Sequence, residues 1–529
     1  MKRRQLLATA GAGAALTLAH PAISRAQAAR VLRFVPQADL ASPDPVWSTT
    51  LVTAMHSYMV WDRLYSLDEG LIPRPQMVGG EEVSDDGLTW TLTLREGLVH
   101  HDGEKVRAID AVASIKRTAR RQPLVGTMMA ATEELVALDD NRLRFRLKKP
   151  FPLLPRALND VSVMPERIAA TDAFTQISEI VGSGPYRFVR DQWRAGTGAV
   201  YQRHDRYVPR SEPISMWAGG LNTHFDRVEW TTMPDPATAA AALQQNEVDW
   251  VDQPLMDLVP QLRRAPGVKV DVFDAFGNLM SMFFNSHQPP FNNPKLRLAV
   301  LHAVNQQDFV DAVLGELATE LGATGVGVFP PRSPYANTAG MAGLPKNGSI
   351  AAATKMIAES GYNGEKILFM SPSDFPSIRQ SSLVGEALLR GLGLNVEFAS
   401  MDWGTMIARR NNGDLPEKGG WSCYCTWWTG LTVASPATSL PLWTNGADAK
   451  AWWRPDDPQM VAMREAWFDA PDMDAQKAIA ADMQRRSLNE VVPFAPLGLF
   501  YLPTAFRSNM TGFARSYFPV FWGVRKVTA

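Results

Sequence analysis

Residues 84–117 set the narrowest limits on how this chain can fold, because they place a strand, two tight turns and a helix start in immediate succession. Leu88, Trp90, Leu92 and Leu94 recur at every second position with threonines between them, the period of a half-buried strand. Asp102-Gly103 permits a tight reversal. Asp110 can cap a helix that starts near Ala111, its carboxylate accepting from free backbone N–H groups. Strand and helix so close together exclude an all-helical or all-strand chain.

The same alternation of element types continues along the chain. The spacing of Met55, Tyr58, Met59 and Leu64 predicts a helix over 51–65, and N-R-L-R-F-R-L over 141–147 predicts a strand. Helices are expected over 349–360, stopped by Gly361, and over 381–390, stopped by Gly391-Leu392-Gly393 before a strand at 394–398. Helix, glycine stop and strand make an α/β rhythm. At 529 residues the chain exceeds one ordinary core, so two or more domains are expected.

The N-terminus reads as a targeting segment. Lys2-Arg3-Arg4, an Ala/Gly/Leu run to Ala19 and the A-x-A site Ala26-Gln27-Ala28 predict a cleaved signal peptide over 1–28. The paired arginines and Arg25 favour the twin-arginine route over the general secretory one. A periplasmic product is expected by either route. Four of the 53 Lys and Arg residues lie in those 28, which leaves 49 against 54 acids, a formal charge of −5. That balance argues against a nucleic-acid partner. No later run of about eighteen apolar residues occurs. Cys423 and Cys425 are too close in sequence for a favourable disulfide, so two free, buried thiols are expected.

Thirteen positions in the opening segment identify a family: Asp85, Asp86, Gly87, Thr89, Trp90, Leu94, Arg95, Gly97, His101, Asp102, Gly103, Ala108 and Asp110. Their order resembles the signature of family 5 extracellular solute-binding proteins, the dipeptide, oligopeptide and nickel receptors of ABC importers. G-S-G-P-Y-R-F at 182–188 is similar to the family's "G-T-G-P-Y-x-F", a structural turn before a strand. A phosphate cradle would need a Lys-Ser or Lys-Thr that is not there. N-E-V-D at 246–249 resembles "G-E-V-D", with Asn246 able to take the left-handed turn in place of glycine. F-F-N, P-F-N and P-K-L-R-L-A-V between 283 and 300 complete the resemblance.

The resemblance implies an α/β, two-lobed periplasmic-binding-protein fold of type II, cluster C-like, with an extra subdomain in the first lobe. Carried over, lobe I spans 29–275 plus 494–529, the extra subdomain about 59–183, and lobe II 276–493. It also implies a monomer that takes a small-molecule or peptide ligand to an inner-membrane ABC permease and its ATPase subunits. No cofactor, metal or catalytic residue is called for. His100-His101-Asp102 belongs to a turn that the family carries whatever the ligand. Two rival functions remain open at this point: an exported enzyme of the twin-arginine route, and a ligand carrier for a chemoreceptor.

Seven of the chain's sixteen tryptophans fall between 403 and 453, and core packing accounts for about half of them. The remainder, beside polar residues in G-G-W-S-C-Y-C-T-W-W-T-G, suit a ligand wall. Trp403, Trp421, Tyr424, Thr426 and Trp427 are therefore the ligand-binding candidates of lobe II, with Trp47 and Thr49 from the loop after the opening strand of lobe I. The family places an acidic residue three positions after a tryptophan here, to pair with a peptide's α-ammonium. Counted from Trp421, that position is Tyr424, so peptide binding through this contact is in doubt. Asp402 is a second acid nearby, better suited to capping a helix.

Overall fold

The alternation at 88–94 forms the strand Thr89–Leu94, with Leu92 and Leu94 buried. In the computed structural model, which describes residues 30–527 apart from 49, 374 and 448–450, this strand lies in a four-stranded antiparallel sheet. The order of that sheet is Val78–Val83, Thr89–Leu94, Arg142–Leu147, Thr132–Ala137. The signal-peptide expectation for 1–28 lies outside the described residues.

Two larger sheets carry the rest of the architecture. The first has seven strands and is centred on Val31–Val35, which pairs in parallel with Arg227–Thr231 on one side and Trp250–Val251 on the other. The second has six strands, with Asn278–Phe284 antiparallel to both Cys423–Thr429 and Phe494–Phe500. Each sheet has its own apolar packing: Phe34, Trp230, Trp250 and Phe521 in the first, Phe283, Tyr424, Trp453 and Phe494 in the second. The architecture is α/β.

The chain passes between the large sheets twice, over 272–277 and over 501–503. The second crossing corrects the boundary placed at 494. Phe494–Phe500 is fully buried and hydrogen-bonded to Asn278–Phe284, so it belongs to the second sheet, and the first sheet resumes only at Thr504–Arg507.

Helix limits also differ from expectation. The helix expected over 51–65 stops at Val60, because Trp61 turns extended and Tyr65–Leu67 forms a strand. The helix expected near Ala111 begins three residues earlier, at Ala108. Asp110 is then the third helical residue, and its carboxylate reaches back to accept from Arg107 N–H at 2.8 Å. It also accepts from Glu166 N–H at 2.7 Å. Asn246 takes the left-handed conformation, φ 64°, and Gly361 ends the helix Ile350–Ser360 at φ 84°. Cys423 and Cys425 are free and buried.

The turn at 182–188 is held by close approach. A Cβ on Gly182 would lie 2.0 Å from the carbonyl oxygen of Val60, and one on Gly184 2.6 Å from that of Met59. Only glycine lets this turn lie against the end of the helix Leu51–Val60. His101 fastens the same turn from the other side. Its Nε2–H donates to Gly184 O at 3.0 Å and its Nδ1 accepts from Gly182 N–H at 3.3 Å. Burial holds this imidazole neutral, with a pKa down to about 3. The His-Asp-Gly turn and the Gly-rich turn are thus two halves of one joint.

Candidate functional site

The crossings at 272–277 and 501–503 form part of the boundary of a cleft of about 1510 Å³, lined by residues of both large sheets' sides. Sites for drug-sized ligands run to roughly 300–1,000 Å³, so the space suits a larger solute or one bound with water. Its walls are aromatic on both sides. From the second-sheet side come Phe375, Trp427, Trp428 and Trp443, and from the first Tyr58, Trp217 and Phe518. Trp217 stacks on Phe518 with centroids 4.9 Å apart, and Tyr58 lies 4.6 Å from Trp217.

The strand Cys423–Thr429 explains which of the expected residues reach this cleft. Its first four residues are buried between neighbouring strands, and only Trp427, Trp428 and Thr429 are partly exposed at its end. Trp427 lines the cleft, its indole N–H donating to Ser377 Oγ at 3.2 Å. Tyr424, Trp421 and Thr426 do not line it. Tyr424 stacks on Phe283 with centroids 5.6 Å apart, Trp421 is fully buried with its N–H donating to Arg410 O at 3.0 Å, and Thr426 sits in the ladder opposite Ser281. These three are packing residues, because the middle of a central strand is covered on both faces.

Trp403 also stays behind the wall, packed against Phe375 at 5.4 Å. Asp402 caps its helix, accepting from Thr405 N–H at 2.9 Å. Trp47 is partly exposed beside the Arg121 guanidinium, 5.6 Å from its ring, while its neighbours Ser48 and Thr50 line the cleft. Thr49 lies outside the described residues.

Several buried polar atoms in the cleft lining have no hydrogen-bond partner among the described residues: Gln37 Oε1, Arg63 Nε, Asp252 Oδ2, Asn278 Nδ2 and Trp428 Nε1. Such atoms are rare in protein interiors and call for a partner. Among the described residues the Arg63 guanidinium donates to neutral oxygens, Trp61 O, Ser57 Oγ and Ser162 Oγ, and burial lowers its pKa. Burial pushes the carboxyl groups of Asp252 and Asp274 up to about 7. None of these polar groups stood out in the sequence, although Asp252 ends the short acidic alternation D-W-V-D. The first-sheet aromatics were equally hidden, since Tyr58, Trp217 and Phe518 come from three distant segments.

Counting three residues on from the cleft-lining Trp428 gives Leu431, which lines the cleft and carries no charge. No helix among the described residues is long and apolar enough to cross a membrane.

Comparison with known proteins agrees with this architecture. Residues 73–450 match the model of the bacterial extracellular solute-binding proteins, family 5 middle region. The chain is 34% identical, over 99% of both lengths, to the "probable peptide ABC transporter periplasmic-binding protein y4tO" of Sinorhizobium fredii. Among solved structures it resembles the ABC transporter substrate-binding protein CtaP of Listeria monocytogenes, with a TM-score of 0.79, 19% identity and coverage of 94% of this chain and 99% of that one. It also resembles the periplasmic binding protein DppA of Helicobacter pylori in complex with the peptide STSA, with a TM-score of 0.75, 22% identity and coverage of 94% and 98%. With a family model spanning well over half its length and a full-length relative above 30% identity, the chain belongs to the family 5 bacterial extracellular solute-binding proteins.

Proposed function

We propose that this chain is the periplasmic substrate-binding component of an ABC importer, which closes around a small organic solute and presents it to an inner-membrane permease and its ATPase subunits. The observation that carries this reading is the cleft: it draws aromatic walls from both sides and holds buried polar atoms without partners. A ligand that contacts both sides favours the closed arrangement over the open one, and its differential affinity drives the motion. The two crossings at 272–277 and 501–503 are the hinge in this reading. The lobes are then 30–271 with 504–527, and 278–500, with the four-stranded sheet as the extra subdomain of the first. The working form is a monomer, and no bond is made or broken in its cycle.

The solute contacts Trp427, Trp428 and Thr429 from one lobe and Tyr58, Trp217 and Arg63 from the other. A signal peptide over 1–28, of the twin-arginine type, delivers the protein. Leu431 speaks against a peptide held by a carboxylate on that loop, so the solute is either a peptide bound differently or a non-peptide compound.

Native mass spectrometry of protein taken from its own periplasm tests the reading. A bound organic mass that disappears on unfolding, together with loss of uptake of that compound on deletion of the gene, is the expected result. Absence of any bound solute, with chemical turnover of a trial compound by the pure protein, would overturn it.

A further inference from the structure

Two acids three residues apart meet opposite surroundings. Asp249 is neutralised twice, by Arg33 at 3.0 Å and by Lys526 at 2.9 Å. Asp252, at the end of the same strand, turns into the cleft lining and meets no cation among the described residues. It is 4% exposed, its carboxylate accepts one hydrogen bond, from Gln37 N–H, and Oδ2 has no partner. A second carboxylate, Asp274, stands in the crossing 272–277, 9% exposed, also in the cleft lining, accepting from Phe276 N–H at 2.8 Å.

Both carboxylates act electrostatically on the Tyr517 phenol, which also lines the cleft. Burying a carboxylate oxygen without a partner costs free energy that an apolar residue there would not, so Asp252 Oδ2 calls for a donor. The Tyr517 ring, which senses the Asp252 charge, suits an organic cation, which gains from a ring face as well as from the carboxylate.

We propose that Asp252 receives the protonated amine or guanidinium group of the imported solute, with its Oδ2 as the direct acceptor. The inference rests on the importer reading and narrows its ligand class to cationic or zwitterionic compounds. It places the cation on Asp252 of the first-sheet side, in place of a carboxylate at Leu431.

The test uses the full mature chain, stripped of bound solute by unfolding and refolding, and three probes: a random tripeptide mixture, the same mixture N-acetylated, and agmatine with spermidine. Retention in native mass spectrometry and the rise in unfolding temperature report binding. The expected result is that probes with a free cation bind, that N-acetylation weakens binding at least tenfold, and that Asp252→Asn does the same without lowering the unfolding temperature of the free protein. Asp252→Ser serves as a second variant if the asparagine protein does not fold. Equal binding of the N-acetylated mixture, wild-type affinity in the variants, or no binding of any cationic probe overturns the inference. A neutral or anionic solute found in the native protein also overturns it while leaving the importer reading intact. Lack of any solute with unimpaired uptake in a deletion strain removes the importer reading itself.

Discussion

Tyr424 and Trp427 lie three residues apart on one strand and should respond to truncation in different ways. Tyr424 is buried against Phe283 and Trp421, so Tyr424→Ala should cost about 3–5 kcal/mol of stability, as large aromatic truncations in cores do, measured by denaturant unfolding. Trp427→Ala should leave the unfolding midpoint within a few degrees and weaken solute binding about tenfold or more, measured by titration. The sequence shows both residues as aromatics in one loop, and nothing local says which side of the strand end faces solvent. Asp252 carries a pH signature. Its carboxyl has a pKa raised from 3.8 to about 7 in the folded protein, so between those values the folded state holds a proton that the unfolded chain has lost. Stability therefore falls as pH rises from about 4 to 7 and levels off above, by at most about 4 kcal/mol at 1.36 kcal/mol per pKa unit. Asp274 contributes a slope of the same sign. Asp252→Asn should flatten part of the thermal stability profile between pH 4 and 7, and an unchanged slope would show that this carboxylate is solvated.

At the scale of elements, the residues that identify the family mostly hold joints together. Asp110 closes the start of the helix Ala108–Ala119, and its contact with Glu166 N–H ties that helix to the short helix Glu166–Ala169. His101 clamps the Gly182 to Gly184 turn, and Asp102 pairs with Arg167 at 2.9 Å. These roles explain why the motif announces the fold and stays silent about the ligand. Gly182→Ala would drive a Cβ into the carbonyl of Val60, and the turn cannot yield without breaking the His101 clamp. A loss of more than about 2 kcal/mol is expected, within the range of severe backbone effects. The readout is the unfolding midpoint, and a loss below about 0.5 kcal/mol would mean that the turn relaxes freely. Element existence was legible from periodicity here, whereas element ends were not. The helix over 51–60 stops where Trp61 is recruited into the first core, a contact with Val181 O that no local pattern encodes.

For the whole molecule, the contacts that join segments on opposite sides of the cleft include an aromatic stack and two ion pairs at the surface. Phe151, next to the four-stranded sheet, stacks on Phe468 with centroids 6.4 Å apart, and Lys149 pairs with Asp469 at 2.7 Å. Arg263 pairs with Glu320 at 2.6 Å. Exposed pairs such as Lys149 with Asp469 are worth at most about 1 kcal/mol, so the aromatic contact should dominate the latch. Phe468→Ala should shift the population toward the open form and weaken solute binding by several-fold, seen as a larger radius of gyration in solution scattering with an unchanged unfolding midpoint. Equal scattering curves would place Phe468 outside the closing motion. Alternating apolar residues, glycine stops and the spaced motif residues determined by sequence alone the α/β class, the family and the order of the elements, because these depend on contacts a few residues apart. The tertiary structure alone decided which end of Cys423–Thr429 opens into the cleft, that Phe494–Phe500 stays with the second sheet, and that Asp249 finds two cations while Asp252 finds none among the described residues. Those outcomes depend on groups separated by hundreds of residues, such as Asp249 with Arg33 and Lys526, and burial and charge pairing across such distances exist only once the chain has folded.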